Sequence, residues 1–286
     1  MSELECLKPP PPTRFNYLSL GAGVQSSALA LMLALGEITP QVDGAIFADT
    51  QAEPLEVYQW LDYLETVLPF PVYRVTYGDL TEYSLKVRER KRDGKPYIAS
   101  MVPFFTLADN GKVGLVRRQC TERFKIEPIH KELKRLCGIK RGQKEPTATQ
   151  LIGISWDEIQ RMKESRDPWL VNRWPLLEKR MTRRHCKEWL KANGHPEPPR
   201  SACVYCPYKT NEEWRHLKKT APESWQEAIE FERKTQQLKE ETNDKKGVPF
   251  LHSSCQPLDQ VDLSTDAERG QESFNFGNEC AGICGV

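Results

Sequence analysis

The chain has 286 residues, 38% hydrophobic and 28% charged, a composition ordinary for a soluble globular protein and unlike collagen-like or disordered sequence. Lys and Arg total 41 against 40 Asp and Glu, a formal net charge of +1, so no global pull toward nucleic acid or a membrane follows from charge. No apolar run approaches the roughly 20 residues of a spanning helix, and Met1 to Thr13 is proline-rich rather than a basic segment with an apolar core. These features predict neither membrane insertion nor export, and a cytoplasmic location. Nine cysteines without an export signal then point to a reducing compartment and to metal or redox use of some thiols, not a disulfide framework.

A flexible segment is expected over 1–14. Phe15 to Leu20 reads as a short buried strand, followed by Gly21-Ala22-Gly23 and an apolar run of helical length, Ser26 to Leu35. Asp43 to Ala48 repeats the strand signal, Glu53 to Leu68 carries apolar residues at helical spacing, and Val72 to Thr76 is a third strand. Strands alternating with helices predict an α/β fold with a parallel sheet covered on both faces, its ligands at the carboxyl ends of the strands. Lys86 to Val116, basic and broken by Gly and Pro, reads as an ordered excursion or a mobile loop. Glu122 to Cys137 is predicted helical, Gly138 to Thr149 a polar connection, and Gln150 to Ser155 another strand, near which the sheet should end. Thr182 to Asn193 reads as a helix with Thr182 as N-cap and Gly194 as its stop. A nucleotide-binding domain over 15–200 and a Cys-rich helical region with a tail over 201–286 are expected. The latter holds helices at Asn211 to Lys219 and Pro222 to Glu241, and the charge run Glu230 to Lys246 reads as a solvated helix face.

Three groups of residues carry chemistry. Gly21-Ala22-Gly23-Val24-Gln25-Ser26-Ser27 lies between a buried strand and a helix, where backbone N–H groups and the positive helix end can cradle an anion; a plain strand-to-helix turn is the alternative. Cys203-x-x-Cys206 is a two-thiolate clip. Cys280 and Cys284, with three residues between them, would complete a four-thiolate site suited to zinc or an iron–sulfur cluster, and Cys120 offers a fifth thiolate. Cys6, Cys137, Cys186 and Cys255 read as buried apolar side chains. Arg117, Arg118, Arg123 and Lys125 surround Cys120 and suit phosphate or sulfate, or else form a solvated helix start. Asp157 and Glu158 offer oxygen ligands for magnesium or simply complement a helix dipole. The five histidines show no metal-ligand spacing, and Trp214 and Trp225 are expected to cover the clip as a small core.

Gly21 to Ser26 resembles the SGGxDS pyrophosphate loop of the adenine nucleotide alpha-hydrolase (PP-loop) superfamily, which includes PAPS and APS reductases, ATP pyrophosphatases and tRNA thiolation enzymes. Gly21 stands where that family often has Ser, and Gln25 replaces its usual Asp. Phe47-Ala-Asp-Thr-Gln-Ala-Glu53 is similar to the segment of sulfonucleotide reductases that lies near the nucleotide, which adds Asp49 and Thr50 to the ATP-binding candidates. Cys120 to Ile129, with Lys125 and Pro128, resembles the Cys-Cys-x-x-x-Lys-x-x-Pro-Leu element of cluster-containing reductases, with only one of its paired cysteines present. Gly153 to Lys163 is similar to a later family element that puts Arg161 at an anion-facing position. The tail, Phe276 to Val286, looks like the end of phage and mobile-element PAPS reductase-like proteins.

The resemblance implies a HUP-like parallel-sheet core and an ATP alpha-hydrolase using ATP (or PAPS), Mg2+ and an iron–sulfur cluster, with zinc as the alternative. Gly21 to Ser27 would hold the pyrophosphate, and Arg117, Arg118 or Lys125 would neutralise charge at the alpha phosphorus. Cys120, Cys203, Cys206 and Cys284 would bind metal. A nucleobase or nucleic-acid acceptor and a sulfur or electron donor protein are the implied partners. Two further readings stay open: a sulfonucleotide reductase with Cys280 as nucleophile, and a nucleotide- or nucleic-acid-binding accessory protein of little activity.

Overall fold

The computed structural model describes residues 9–99, 101–108, 110–242, 247–265 and Glu268. Its first third alternates strand and helix: β1 (Phe15–Ser19), α1 (Val24–Ala34), β2 (Gly44–Asp49), α2 (Leu55–Val67) and β3 (Val72–Thr76). An excursion follows, with α3 (Leu80–Leu85), a hairpin of β4 (Val87–Glu89) and β5 (Pro96–Ile98), then β6 (Phe105–Leu107) and β7 (Val113–Leu115). A wide helical turn, Glu122–Ile126, runs into α4 (Glu127–Leu136), β8 (Ala148–Ile152), a tight turn at Trp156–Arg161, β9 (Leu170–Arg173), α5 (Pro175–Glu178) and α6 (Arg183–Ala192). The last elements are α7 (Asn211–Thr220), α8 (Pro222–Glu241) and β10 (Val248–Phe250).

The main sheet has the order β3-β2-β1-β8-β9, and every pair in it is parallel. Side chains alternate along each strand, so consecutive residues serve opposite faces. Leu18, Phe47 and Leu151 pack with α1, α2 and α6, whereas Tyr17, Ile46 and Ala48 pack with Ile129 and Leu133 of α4. From Val24 to Leu33 α1 is buried throughout, which is why, past the polar first turn of Gln25, Ser26 and Ser27, its sequence is apolar all round rather than striped. Truncating Leu29 at its centre would cost about 2–5 kcal/mol.

The expected α/β architecture, a parallel HUP-like sheet, is present, with one correction at its edge. The sheet does not end near Ser155, because Leu170–Arg173 adds the fifth strand. Four residues are too few for a periodicity to register, and this strand is held from outside its own sequence: the buried Arg173 guanidinium donates to both carboxylate oxygens of Glu178, at 2.8 and 2.7 Å.

A second core joins the excursion to the C-terminal helices, with Phe104, Phe124, Tyr205, Trp214, Trp225 and Phe231 among its members. Tyr205 and Phe231 stack at 3.8 Å between ring centroids. The charge run on α8 departs from the expected solvated face, since Glu232, Thr235 and Lys239 are buried. Glu232 is turned inward because its carboxylate accepts the N–H groups of Leu251 and Leu258, both at 2.7 Å. Two short antiparallel sheets, β10-β6-β7 and β4-β5, complete the excursion. No helix among the described residues is long and apolar enough to cross a membrane.

Candidate functional site

The neighbours of β1 run on from it in opposite chain directions, β2 then β3 on one side and β8 then β9 on the other. That reversal is where open α/β sheets leave a crevice beyond the strands' carboxyl ends. The turn from β1 into α1 lies there. Ala22 is buried and left-handed, with φ +55°, a conformation that costs a non-glycine residue about 1–3 kcal/mol and persists only where packing imposes it. Gly23 is the N-cap; its N–H donates to Ser26 Oγ at 3.2 Å, and that hydroxyl donates back to the Gly23 carbonyl at 3.2 Å. The first turn of α1 carries no acidic side chain, leaving its positive end unopposed.

The rest of the loop is fastened to its surroundings. Gly21 is exposed and Val24 buried. Ser27 is fully buried, and its hydroxyl accepts the Trp60 indole N–H at 2.8 Å, so its side chain secures the helix. Gln25 is also buried; its amide donates to Ser155 Oγ (3.4 Å) and Glu158 Oε2 (3.3 Å), and its carbonyl accepts from Arg183 at 3.0 Å. Arg161 reaches the same Glu158 at 2.8 Å, while Asp157 accepts the Arg183 backbone N–H at 3.0 Å. Both carboxylates considered for magnesium are thus engaged by the protein. Past β8, a Cβ on Gly153 would lie 2.8 Å from Ser26 Cα and 2.9 Å from Ser26 N; only glycine permits this approach.

At the end of β2, Asp49 Oδ1 accepts the Gln51 N–H at 2.7 Å and the Tyr58 hydroxyl at 2.8 Å. Burial, then Asp49, pushes the Tyr58 pKa up. Thr50 is buried and donates to Glu53 Oε1. The Glu53 side chain is wholly buried; Oε1 accepts from Lys125 Nζ at 3.0 Å, whereas Oε2 has no partner among the described residues. Burial works against the Lys125 charge, but Glu53 outweighs it and raises the pKa.

Three thiols meet this edge. The Cys120 N–H is held by the Met101 carbonyl at 2.9 Å. The segment 201–206 lies across the turns that follow β1 and β2: Val204 N–H donates to the Ala52 carbonyl at 2.8 Å, and a Cβ at Gly23 would sit 3.6 Å from Ser201 Cβ. Cys120, Cys203 and Cys206 line one cavity of about 30 Å³ with Glu53, Arg118 and Lys125. The Cys203 thiol hydrogen-bonds Cys206, holding the Cys206 pKa down and raising that of Cys203. Cys120 is raised by burial and opposed by Arg118, which hydrogen-bonds it. Arg118 is half-buried, 5.8 Å from the Tyr208 ring, whereas Arg117 is exposed.

The donor set suits a soft-metal centre, because thiolates beside Arg118 and Lys125 are charge-compensated. Among the described residues no three His, Cys, Asp or Glu side chains already surround a common ion position. Cys280 and Cys284 lie outside the described residues, as does Cys6. Cys137, Cys186 and Cys255 are buried, and desolvation pushes Cys137 up to about 11 and Cys186 to about 12, which suits inert packing groups.

Sequence reasoning passed over four residues. Glu53 was visible only as the last letter of a strand-end motif, and Lys209, which donates to the Cys203 carbonyl at 3.0 Å, only as a cation shortly after the clip. Ser201 and Arg183 left no signal, since each is placed by tertiary contact.

No protein-family model matches the chain, and no curated protein matches it significantly. Among solved structures it is similar to phosphoadenylyl-sulfate (PAPS) reductase from Candida auris in a phosphate complex, at 16% identity and a TM-score of 0.41, over 64% of this chain and 74% of that one. It is also similar to the U34-tRNA thiolase NcsA from Methanococcus maripaludis with its [4Fe-4S] cluster, at 11% identity and a TM-score of 0.32, over 89% and 81%. The class defined by the chain's own features is an α/β protein with a HUP-like parallel sheet and a glycine turn into a buried helix at its strand-order reversal. In the motifs set on that sheet it resembles the PP-loop adenine nucleotide alpha-hydrolases.

Proposed function

We propose that this chain is a PAPS reductase-like ATP alpha-hydrolase that adenylates an acceptor, in nucleobase or nucleic-acid modification with sulfur transfer. One observation carries the reading: the thiol-bearing segment 201–206 packs directly on the anion loop, Ser201 against Gly23 and Val204 on Ala52. A phosphate site and a soft-ligand site therefore share one edge of the sheet.

In this reading the free N–H groups at the start of α1 hold the β- and γ-phosphates, which arrive with Mg2+. Arg117 and Arg118 offset the charge that develops on the alpha phosphorus. An acceptor oxygen attacks that phosphorus, the bond to the bridging oxygen breaks, and pyrophosphate leaves with the electron pair. Lys125, fixed by Glu53, keeps a positive charge between the phosphates and the thiols. Cys120, Cys203 and Cys206 would hold an iron–sulfur cluster, which when bound supplies sulfur or electrons to the activated acceptor.

The test is anaerobic purification with a visible spectrum, iron, sulfide and zinc analysis, and an assay of pyrophosphate release from ATP. Iron and sulfide with pyrophosphate release supports the reading. A colourless zinc protein that binds ATP without cleaving it overturns it, as does sulfite release from PAPS with no turnover of ATP.

A further inference from the structure

The hairpin β4–β5 concentrates charge that the chain as a whole lacks. Residues 86–97 hold six cations (Lys86, Arg88, Arg90, Lys91, Arg92, Lys95) against Glu89 and Asp93, a local +4 in a chain of net +1. The hairpin is well formed: Arg88 faces Tyr97 across the ladder, the Arg90 N–H donates to the Lys95 carbonyl at 2.9 Å, and Gly94 supplies the left-handed turn residue at φ +65°.

Its charge is barely compensated from within. Arg90 and Arg92 share the single carboxylate of Asp93 at 3.5 and 3.7 Å, and Arg92 remains 83% exposed. Lys86, Lys91 and Lys95 are exposed and form no ion pair among the described residues. Self-repulsion in such a ribbon is relieved by a polyanion.

The base of the hairpin adds aromatic surface. Arg88 lies 4.1 Å from the Tyr83 ring centroid, Tyr83 meets Tyr77 edge-on at 5.8 Å, and Arg123 caps Tyr77 at 5.2 Å while donating to its hydroxyl at 2.9 Å. Tyr77 and Tyr97 are 38% and 36% exposed. Arg123 stands two residues before Lys125, on the turn that furnishes the site, so this run of cations and rings leads from the hairpin to the carboxyl edge of the sheet. Lysine and arginine that follow phosphates, interleaved with rings on which bases stack, are the means by which proteins hold single strands.

We infer that the β4–β5 hairpin, with Tyr77, Tyr97 and Arg123, binds single-stranded nucleic acid. Binding stands on this surface alone; that the strand is then the acceptor rests on the function proposed above.

The test uses the full chain without ATP or metal, and fluorescein-labelled 20-nucleotide single-stranded RNA, single-stranded DNA and duplex DNA, followed by anisotropy between 50 and 200 mM salt. Either single strand binding more tightly than duplex supports the surface, and the preferred sugar identifies its source. The variant Lys86→Gln/Lys91→Gln/Lys95→Gln, confirmed folded by its melting temperature, is expected to weaken binding at least tenfold at 100 mM salt. It should also flatten the log–log salt slope by about 2, at roughly 0.7 for each phosphate that a lysine neutralises. Tyr97→Ala is expected to cost at least about fivefold with the slope unchanged. No binding of any probe at 50 mM salt, a preference for duplex, or a triple variant that binds like the parent overturns the inference. The triple variant leaves the residues assigned to the phosphates and the thiols intact, so a parent chain that binds the strand yet releases no pyrophosphate from ATP, with the strand present or absent, would sink the enzymatic proposal and leave this surface standing.

Discussion

Gly153→Ala is the sharpest probe of the proposed anion loop, because it alters the loop without replacing any polar side chain. The new Cβ would meet backbone atoms of α1, 2.8 Å from Ser26 Cα, 2.9 Å from Ser26 N and 3.2 Å from Gln25 C. No side-chain rotation relieves such contacts, so the first turn of α1 must move off β8 by several tenths of an ångström. Overpacking of this kind costs about 1–3 kcal/mol, and at about 2–4 °C per kcal/mol for a domain of 150–250 residues the melting temperature should fall by about 2–12 °C. The same shift turns the free N–H groups of the loop away from a bound phosphate, so ATP affinity should drop at least tenfold. Gly21→Ala is the control: its Cβ meets nothing nearer than Ser26 Oγ at 3.5 Å, an ordinary contact, and stability should hold. Melting curves and isothermal titration with ATP read both effects. A Gly153→Ala protein that melts within 1 °C of the parent and binds ATP equally well would show that this glycine does not set the loop.

Breaking the Glu53–Lys125 pair by Glu53→Gln should cost about 3 kcal/mol, the lower end of the range for buried pairs, since Lys125 keeps 31% exposure. Glu53→Gln/Lys125→Met should recover most of it, and a single variant as stable as the parent in urea would refute the pairing. Replacing Cys120, Cys203 or Cys206 by Ser should each abolish metal retention after anaerobic reconstitution, whereas Cys186→Ala should retain it; equal metal content in all four would remove the thiols from the site. Burial lowers the pKa of His130 and of His252, so the unfolded chain takes up protons near the ordinary value of about 6.5 before the folded chain does. The contribution of these two histidines to stability is therefore fully present above about pH 6.5 and is lost as the pH falls below it. His252→Gln should make melting temperature less sensitive to pH between 7 and 5, and an unchanged pH dependence would refute the assignment.

Periodic and capped helices were legible in the sequence: α8 runs over the range its apolar stripe predicts, and α6 starts after Thr182, whose hydroxyl accepts the His185 N–H; the short β3 was read from its β-branched residues. Strand β9 and helix α3 were not, since each is shorter than the window in which a period can be counted. The loop Gly21 to Ser27, Thr50, Cys120, Lys125 and the clip were visible as letters at fixed spacing. What those letters could not tell is which side chains are already spent: Ser27 on Trp60, Gln25 on Arg183 and Glu158, Asp49 on Tyr58. Each of those bonds spans nine residues or more, and nothing local to the loop encodes it.

The single hydrogen bond from Val204 to Ala52, with Ser201 resting on Gly23, makes the thiol segment and the two strand-end turns one mechanical piece. Under the proposed function, a nucleotide that fixes the turns would thereby fix the segment, and whatever the thiols grasp would stiffen the turns. Linkage then requires the two effects to be equal: the factor by which one ligand tightens the other is the same in both directions. For this chain, occupancy of either site would be a report on the other.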